Sequence, residues 1–306
     1  MKRRNFLKHS ALASPLVFTS FSEELSKYHG NFATEFNLKY APHIGMFKHL
    51  AGDNVVDQLR FMAAEGFRAF EDNDMMNRPI KVQQEMSEVL KDNNISMGVF
   101  VAHKIGWREP FLTSGKTEWR NEFLDYITKS VDVAKRVNAK WMTVVPGHMD
   151  LHLRTGYQTA NLVESLRRAS EILEPHGLVM VLEPLNFDGH AGQFLQEIPQ
   201  AYEICKAVDS PSCKILFDVY HQQITEGNLI PNIDMAWDEI AYFQVGDNPG
   251  RKEPTTGEIN YKNLFRHLHK KGYKGIIGME HGNSRDGAEG ERMVIDAYRE
   301  VDQFLE

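Results

Sequence analysis

The sequence predicts an α/β protein, a (β/α)8 TIM barrel, on three observations. Short apolar runs alternate with amphipathic stretches eight times from Phe36 onward. Four of the runs end in a polar side chain: Glu183 follows Val179-Met180-Val181-Leu182, Asp218 follows Ile215-Leu216-Phe217, Gln244 follows Ile240-Ala241-Tyr242-Phe243, and Glu280 follows Ile276-Ile277-Gly278-Met279. The gaps between them are 35, 26 and 36 residues, near the roughly 31 residues per unit of a ~250-residue barrel. A short run that is apolar throughout reads as a strand buried on both faces. A polar residue at its C-terminal end then lies on the rim where such barrels keep their chemistry. No Gly-x-Gly-x-x-Gly or Walker-type loop opens a helix, so an open dinucleotide-binding sheet has no support.

Residues 1–30 differ from the rest. A basic start, Lys2-Arg3-Arg4, precedes an apolar segment, Ala11 to Phe18, that is too short to span a bilayer. Arg3-Arg4-x-Phe6-Leu7-Lys8 resembles a twin-arginine export address. A periplasmic or otherwise exported location is therefore expected, without a membrane anchor; a cytoplasmic chain with a vestigial tail is the alternative. The barrel is expected over residues 31–306. Its strands are Phe36 to Ala41, Phe67 to Phe70, Ile95 to Ala102, Trp141 to Val145, 178–182, 214–217, 240–243 and 275–279. The first helix runs from Asp53 to Ala64, capped by Asp53 and closed by Gly66. Further helices are expected at about 80–92, 118–137, 159–175, 196–207, 232–238, 261–271 and 290–305, the third of these eight carrying Val131, Ala134 and Val137 on one stripe.

Composition narrows the partners. A net charge of −7 argues against nucleic acid, since phosphate binding needs a basic face. A small-molecule substrate is expected, and self-association into a homo-oligomer is left open. Cys205 and Cys213 have neither zinc-type spacing nor enough companions for a disulfide framework, and read as free thiols.

Two glutamates, an aspartate and an amide oxygen on one rim suit a hard divalent ion such as Mg²⁺ or Mn²⁺. The expected metal set is Glu183, Asp218, Gln244 and Glu280, because converging carboxylates repel one another without a cation. Helix capping or rim salt bridges are the plainer reading of each acid alone. His221, one turn past Asp218, faces the same cavity and either donates a hydrogen bond to a substrate oxygen or binds a second metal. The long loop from Gln244 to Tyr261 carries Arg251, whose guanidinium suits a substrate carboxylate; a solvated pair with Glu253 is its alternative. Lys104 and Trp107, after the third strand, are either pocket wall or plain surface.

The motifs Leu182-Glu183-Pro184-Leu185-Asn186, Phe217-Asp218-Val219-Tyr220-His221, Pro249-Gly250-Arg251 with Glu253-Pro254-x-Thr256-Gly257-Glu258-Ile259-Asn260-Tyr261, and Gly278-Met279-Glu280 together resemble the hydroxypyruvate isomerase family. That family belongs to the xylose-isomerase-like barrels, alongside ketose 3-epimerases and endonuclease-IV-type nucleases. The resemblance spans roughly residues 36–305. It implies that Glu183 and Glu280 are a catalytic acid/base pair and that Glu183, Asp218, Gln244 and Glu280 bind the metal. It further implies proton transfer between adjacent carbons of a small hydroxy-carbonyl compound through an enediolate, with hydroxypyruvate and tartronate semialdehyde as the expected pair. Gln244 stands where the epimerases and nucleases commonly have histidine, and no Asp-x-His follows it, which argues against a nuclease. A sugar epimerase on the same rim, or an exported barrel that only binds sugar, are the alternatives.

Overall fold

Most strands of the computed structural model are short, largely apolar runs, and the helices between them bury apolar residues against them. The structure describes residues 33–305; the leader expected over residues 1–30 lies outside the described residues. The strands are β1 Lys39–Ala41, β2 Ala69–Phe70, β3 Ser96–Met97, β4 Trp141–Val144, β5 Val179–Leu182, β6 Cys213–Asp218, β7 Ile240–Val245 and β8 Ile276–Met279. Six pair in parallel in the order β1-β8-β7-β6-β5-β4, and β2 pairs with β3. Single parallel bridges, His43 to Glu71 and Val101 to Thr143, join the two pieces into a ring. Backbone bonds from Glu71 N to Pro42 O at 3.1 Å and from Thr143 N to Phe100 O at 2.8 Å support the junctions.

The third strand is shorter than the expected span to Ala102. Beyond Met97 the chain divides its hydrogen bonds between neighbours: Gly98 N donates to Phe70 O on one side, while Phe100 O accepts from Thr143 N on the other. The expected cap of the first long helix also shifts by one residue. Val55–Ala64 is capped by Asn54, whose side chain accepts from Val56 N and Asp57 N, rather than by Asp53. Where one helix was expected near 232–238 there are two, Val219–Thr225 and Leu229–Ala236. The extra one starts because the Asp218 carboxylate accepts from Tyr220 N and His221 N and so satisfies its first free N–H groups.

Two apolar clusters hold the molecule. The larger lies between strands and helices and includes Leu59, Phe123, Leu166, Ile204, Phe243 and Val294. The smaller, Ala41, Ala69, Val99, Val179, Val181, Leu216, Tyr242 and Ile276, takes residues from seven of the eight strand positions around the ring. Cys205 and Cys213 are buried free thiols, as expected.

Candidate active site

Glu183, Asp218, Gln244, Glu280, His221 and Arg251 all meet at the C-terminal ends of β5 to β8. Asp218 and Gln244 stand level across the β6–β7 pair. Asp218 is both cap and site residue: Oδ1 accepts the two helix N–H groups, while Oδ2 takes Arg251 Nη2 at 2.9 Å. The same Nη2 lies 2.8 Å from Glu280 Oε2. One guanidinium thus bridges two of the expected metal ligands, and Arg251 does not pair with Glu253, which accepts from Ser284 N instead. Burial alone pushes Asp218 up, yet the His221 imidazole, Arg251 and the two backbone donors bring it below its ordinary value. Because burial holds His221 at about 4, the imidazole is neutral at pH 7, so there Arg251 and the backbone donors carry the effect.

The glutamates behave oppositely. Burial, then the charges of Glu280 and Asp218, raise Glu183 well above the usual carboxyl range. Burial likewise raises Glu280, against the pull of Arg251. Glu280 Oε1 also accepts from Asn73 Nδ2 at 3.1 Å. Two carboxyls with raised pKa values beside a third whose pKa is lowered is the pattern of an acid/base pair.

The protonation of His221 can be read from its neighbours. Gly189 N donates to Asn186 Oδ1 at 2.7 Å, which fixes the direction of that carboxamide. Its Nδ2 then points at His221 Nδ1 at 2.6 Å, and Asn186 N approaches the same atom at 3.3 Å. With Nδ1 accepting, the proton of the neutral ring sits on Nε2, which faces Glu183 Oε1 at 3.7 Å and Asp218 Oδ2 at 3.6 Å. Glu183, Asp218 and His221 can bring three ligand atoms within 4.8 Å of one another. In the tautomer set by Asn186, however, His221 offers that space a donor rather than a lone pair.

Sequence reasoning missed Glu71. It follows Phe67-Arg68-Ala69-Phe70 directly and obeys the strand-end rule that found the other four. Its carboxyl is buried inside the ring and accepts from Tyr242 OH at 3.0 Å and Gln244 Nε2 at 3.3 Å. Burial, then Glu280, raises it well above the usual range, while those two hydrogen bonds oppose the rise. Among the described residues, the polar atom Gln244 Oε1 is buried without a partner, as is Arg251 Nε.

Arg251 owes its place to its loop. The buried Asp247 carboxylate accepts from Asn248 N at 2.9 Å, Gly257 N at 2.8 Å and Ile259 N at 3.1 Å, folding both ends of the loop onto one side chain. Tyr261 OH ties it down through Gly246 O at 2.7 Å. Beyond His221 lies a cavity of about 420 Å³ lined by Trp107, Arg108, His148, His190 and Gln193 among others. Trp107 stacks on His190, whose ring meets His221 edge-on at 5.3 Å. Trp107 is therefore pocket wall, whereas Lys104 is exposed and takes no part in the cluster.

Fold and rim together define a parallel (β/α)8 barrel with a buried, carboxylate-rich centre suited to a cation. Residues 59–301 match the xylose isomerase-like TIM barrel family, to which this chain belongs. The chain is 32% identical to the hydroxypyruvate isomerase of Escherichia coli (strain K12) over 160 residues, 52% of this chain and 62% of that enzyme. That match spans less than two thirds of the enzyme's length. It is 27% identical to the 2-oxo-tetronate isomerase of Cupriavidus necator over 227 residues, 74% of this chain and 86% of the relative. Among solved structures, the 3-keto-D-glucoside 4-epimerase of Escherichia coli superposes with a TM-score of 0.72 at 20% identity, covering 87% of this chain and 99% of that one, a likeness of fold.

Proposed function

We propose that the protein is a divalent-metal-dependent isomerase that moves a proton between adjacent carbons of a small hydroxy-carbonyl acid. The interconversion of hydroxypyruvate and tartronate semialdehyde is its leading reaction. The observation that carries this reading is the pair Glu183 and Glu280, both raised first by burial, on one rim with a charged Asp218. The donor set fits a hard cation. Glu71, Glu183, Asp218 and Glu280 influence one another around a single bridging guanidinium, and Gln244 Oε1 is a buried oxygen without a donor. Glu183, Asp218, Gln244 and Glu280 would hold the ion through oxygen, and Mg²⁺ or Mn²⁺ matches that donor chemistry. When bound, it would supply positive charge that stabilises the negative charge building on substrate oxygen.

The chain's own groups supply the rest. Of Glu183 and Glu280, one removes the proton from carbon and the other returns a proton to its neighbour, and in the enediolate between the two events the hydroxyl proton passes from one vicinal oxygen to the other. His221 donates from Nε2 to a substrate oxygen, which its tautomer permits at neutral pH. Arg251 presents its guanidinium to the substrate carboxylate.

The test is turnover in D₂O of the metal-loaded protein with hydroxypyruvate, 2-oxo-tetronate and a panel of ketoses. Solvent deuterium at the exchanged carbon is the expected result. Absence of exchange with every compound, in protein shown to hold metal, sinks the isomerase reading and favours a barrel that only binds. The cavity beside Trp107 and His190 favours a second reading, a ketose epimerase taking a longer substrate. Preference for ketoses over three- and four-carbon acids in the same panel would select it.

We also propose export, on the basis of the Arg3-Arg4-x-Phe6-Leu7-Lys8 segment. Fractionation that finds the chain uncut in the cytoplasm would overturn this.

A further inference from the structure

We propose that Glu71 is a positioning residue: it fixes the carboxamide of Gln244 so that Oε1 is presented as an oxygen ligand. The assignment rests on the metal-dependent reading above. A glutamine in a metal site is ambiguous, because its amide can turn either a donor or an acceptor toward the ion. Here Nε2 lies 3.3 and 3.4 Å from the two oxygens of Glu71. With Glu71 ionised, the state a bound cation favours, the opposite orientation would set Oε1 against those same two oxygens, oxygen on oxygen. Oε1 is therefore turned away from Glu71, and there it is buried and without a donor. Native proteins rarely leave such an atom unpaired, and with Asp218 level with Gln244 across the β6–β7 pair a hard cation is the partner that suits the donor set.

The barrel is built around this contact. A Cβ on Gly278 would stand 2.0 Å from Glu71 Oε2, and a Cβ on Gly98 would stand 2.3 Å from Tyr242 OH. Both positions lie where a barrel of this type normally packs a branched apolar side chain. The space they give up holds Glu71 and the Tyr242 hydroxyl that donates to it at 3.0 Å. Tyr242 keeps Glu71 in place, and Glu71 keeps Gln244 in place. A carboxylate one step behind a ligand commonly works in this way.

The experiment measures Mn²⁺ affinity of the full chain from the paramagnetic signal of free ion, together with the melting temperature of metal-free protein. E71Q should bind Mn²⁺ about 10–100-fold more weakly, since its amide no longer forces one orientation on Gln244. In a Q244E background either carboxylate oxygen serves as ligand, so adding E71Q should cause no further loss. It should instead relieve the repulsion between two facing carboxylates and tighten binding. If E71Q does not fold, Y242F takes its place: it loosens Glu71 without touching a ligand and should weaken Mn²⁺ binding in the same direction. Affinity within about threefold of wild type in the folded variant, below the tenfold floor for such residues, overturns the assignment. So does an equal loss in both backgrounds, which would make Glu71 a general support of the ring. Wild-type protein that binds no Mn²⁺ sinks the metal-dependent reading and this assignment with it, a result distinct from wild-type binding that E71Q leaves unchanged.

Discussion

At the scale of single residues, the site divides its labour by environment. Glu183 and Glu280 are pushed toward neutrality while Asp218, a few ångströms away, is held charged by Arg251 and a helix start. Replacing either glutamate by Gln keeps the volume and an oxygen ligand but removes the exchangeable proton. Turnover is expected to fall by about 10²–10⁴-fold, the usual worth of a positioned acid or base, with metal content unchanged. Asp218→Asn should lose metal and activity together, and elemental analysis of all three variants separates the two outcomes. Either Glu→Gln variant turning over within about tenfold of wild type is not missing its proton-transfer group. His221 is open to a separate check. Asn186→Asp replaces the donor at Nδ1 with an acceptor, so the ring proton should move from Nε2 to Nδ1 or a second proton should be taken up. Nitrogen-15 spectra of the labelled imidazole read that change directly, and a wrong tautomer can lower turnover by up to about 10⁴-fold. Unaltered spectra would mean that Asn186 does not set the proton.

At the scale of elements, the rim was legible wherever a polar residue interrupts an apolar run, which is why the ends of β5, β6, β7 and β8 stood out. The end of β2 follows the same rule but is harder to see. Arg68 breaks its apolar run, and Glu71 is followed by Asp72-Asn73-Asp74, so the acid reads as the first residue of a polar loop. Tyr242 lies within a strand and looks like core until its hydroxyl is seen on Glu71. The cap at Asn54 rather than Asp53, and the helix that Asp218 starts, turn on which of several adjacent side chains reaches a backbone N–H, a matter of one residue in register. Gly278 is the element-level prediction. Ala at this position in β8 would press on Glu71, and overpacking of this kind costs about 1–3 kcal/mol. A lowered melting temperature with weaker metal binding is expected. A variant as stable and as metal-competent as wild type would show that Glu71 can retreat freely.

At the scale of the whole molecule, the carboxyls couple stability to pH. Glu71, Glu183 and Glu280 have folded pKa values raised above their ordinary ones. Their contribution to stability is full below the unfolded value of about 4.5 and is lost as pH rises through the folded values. Asp218 is lowered and acts the other way, keeping its contribution until pH falls below the ordinary carboxyl range. Three groups against one make the metal-free protein lose stability as pH climbs above about 5, while a bound cation favours the charged carboxylates. The rise in melting temperature on adding Mn²⁺ should therefore grow between about pH 5 and pH 8. A rise that is flat or shrinks over that range would contradict the burial of these acids.

The ring is not hooped evenly. From β4 through β8 to β1 neighbouring strands pair over three or four residues, with one register shift between β6 and β7, whereas β2 and β3 meet their outer neighbours through one bridge each. The end of β2 borders a hollow of about 360 Å³ lined by His43, Asp72, Asn73, Arg78 and Glu280 among others. Glu71, at the end of a strand joined by one bridge, is hydrogen-bonded to Tyr242 and Gln244 on a strand paired along both edges, and so ties the two parts of the ring together across the centre of the site.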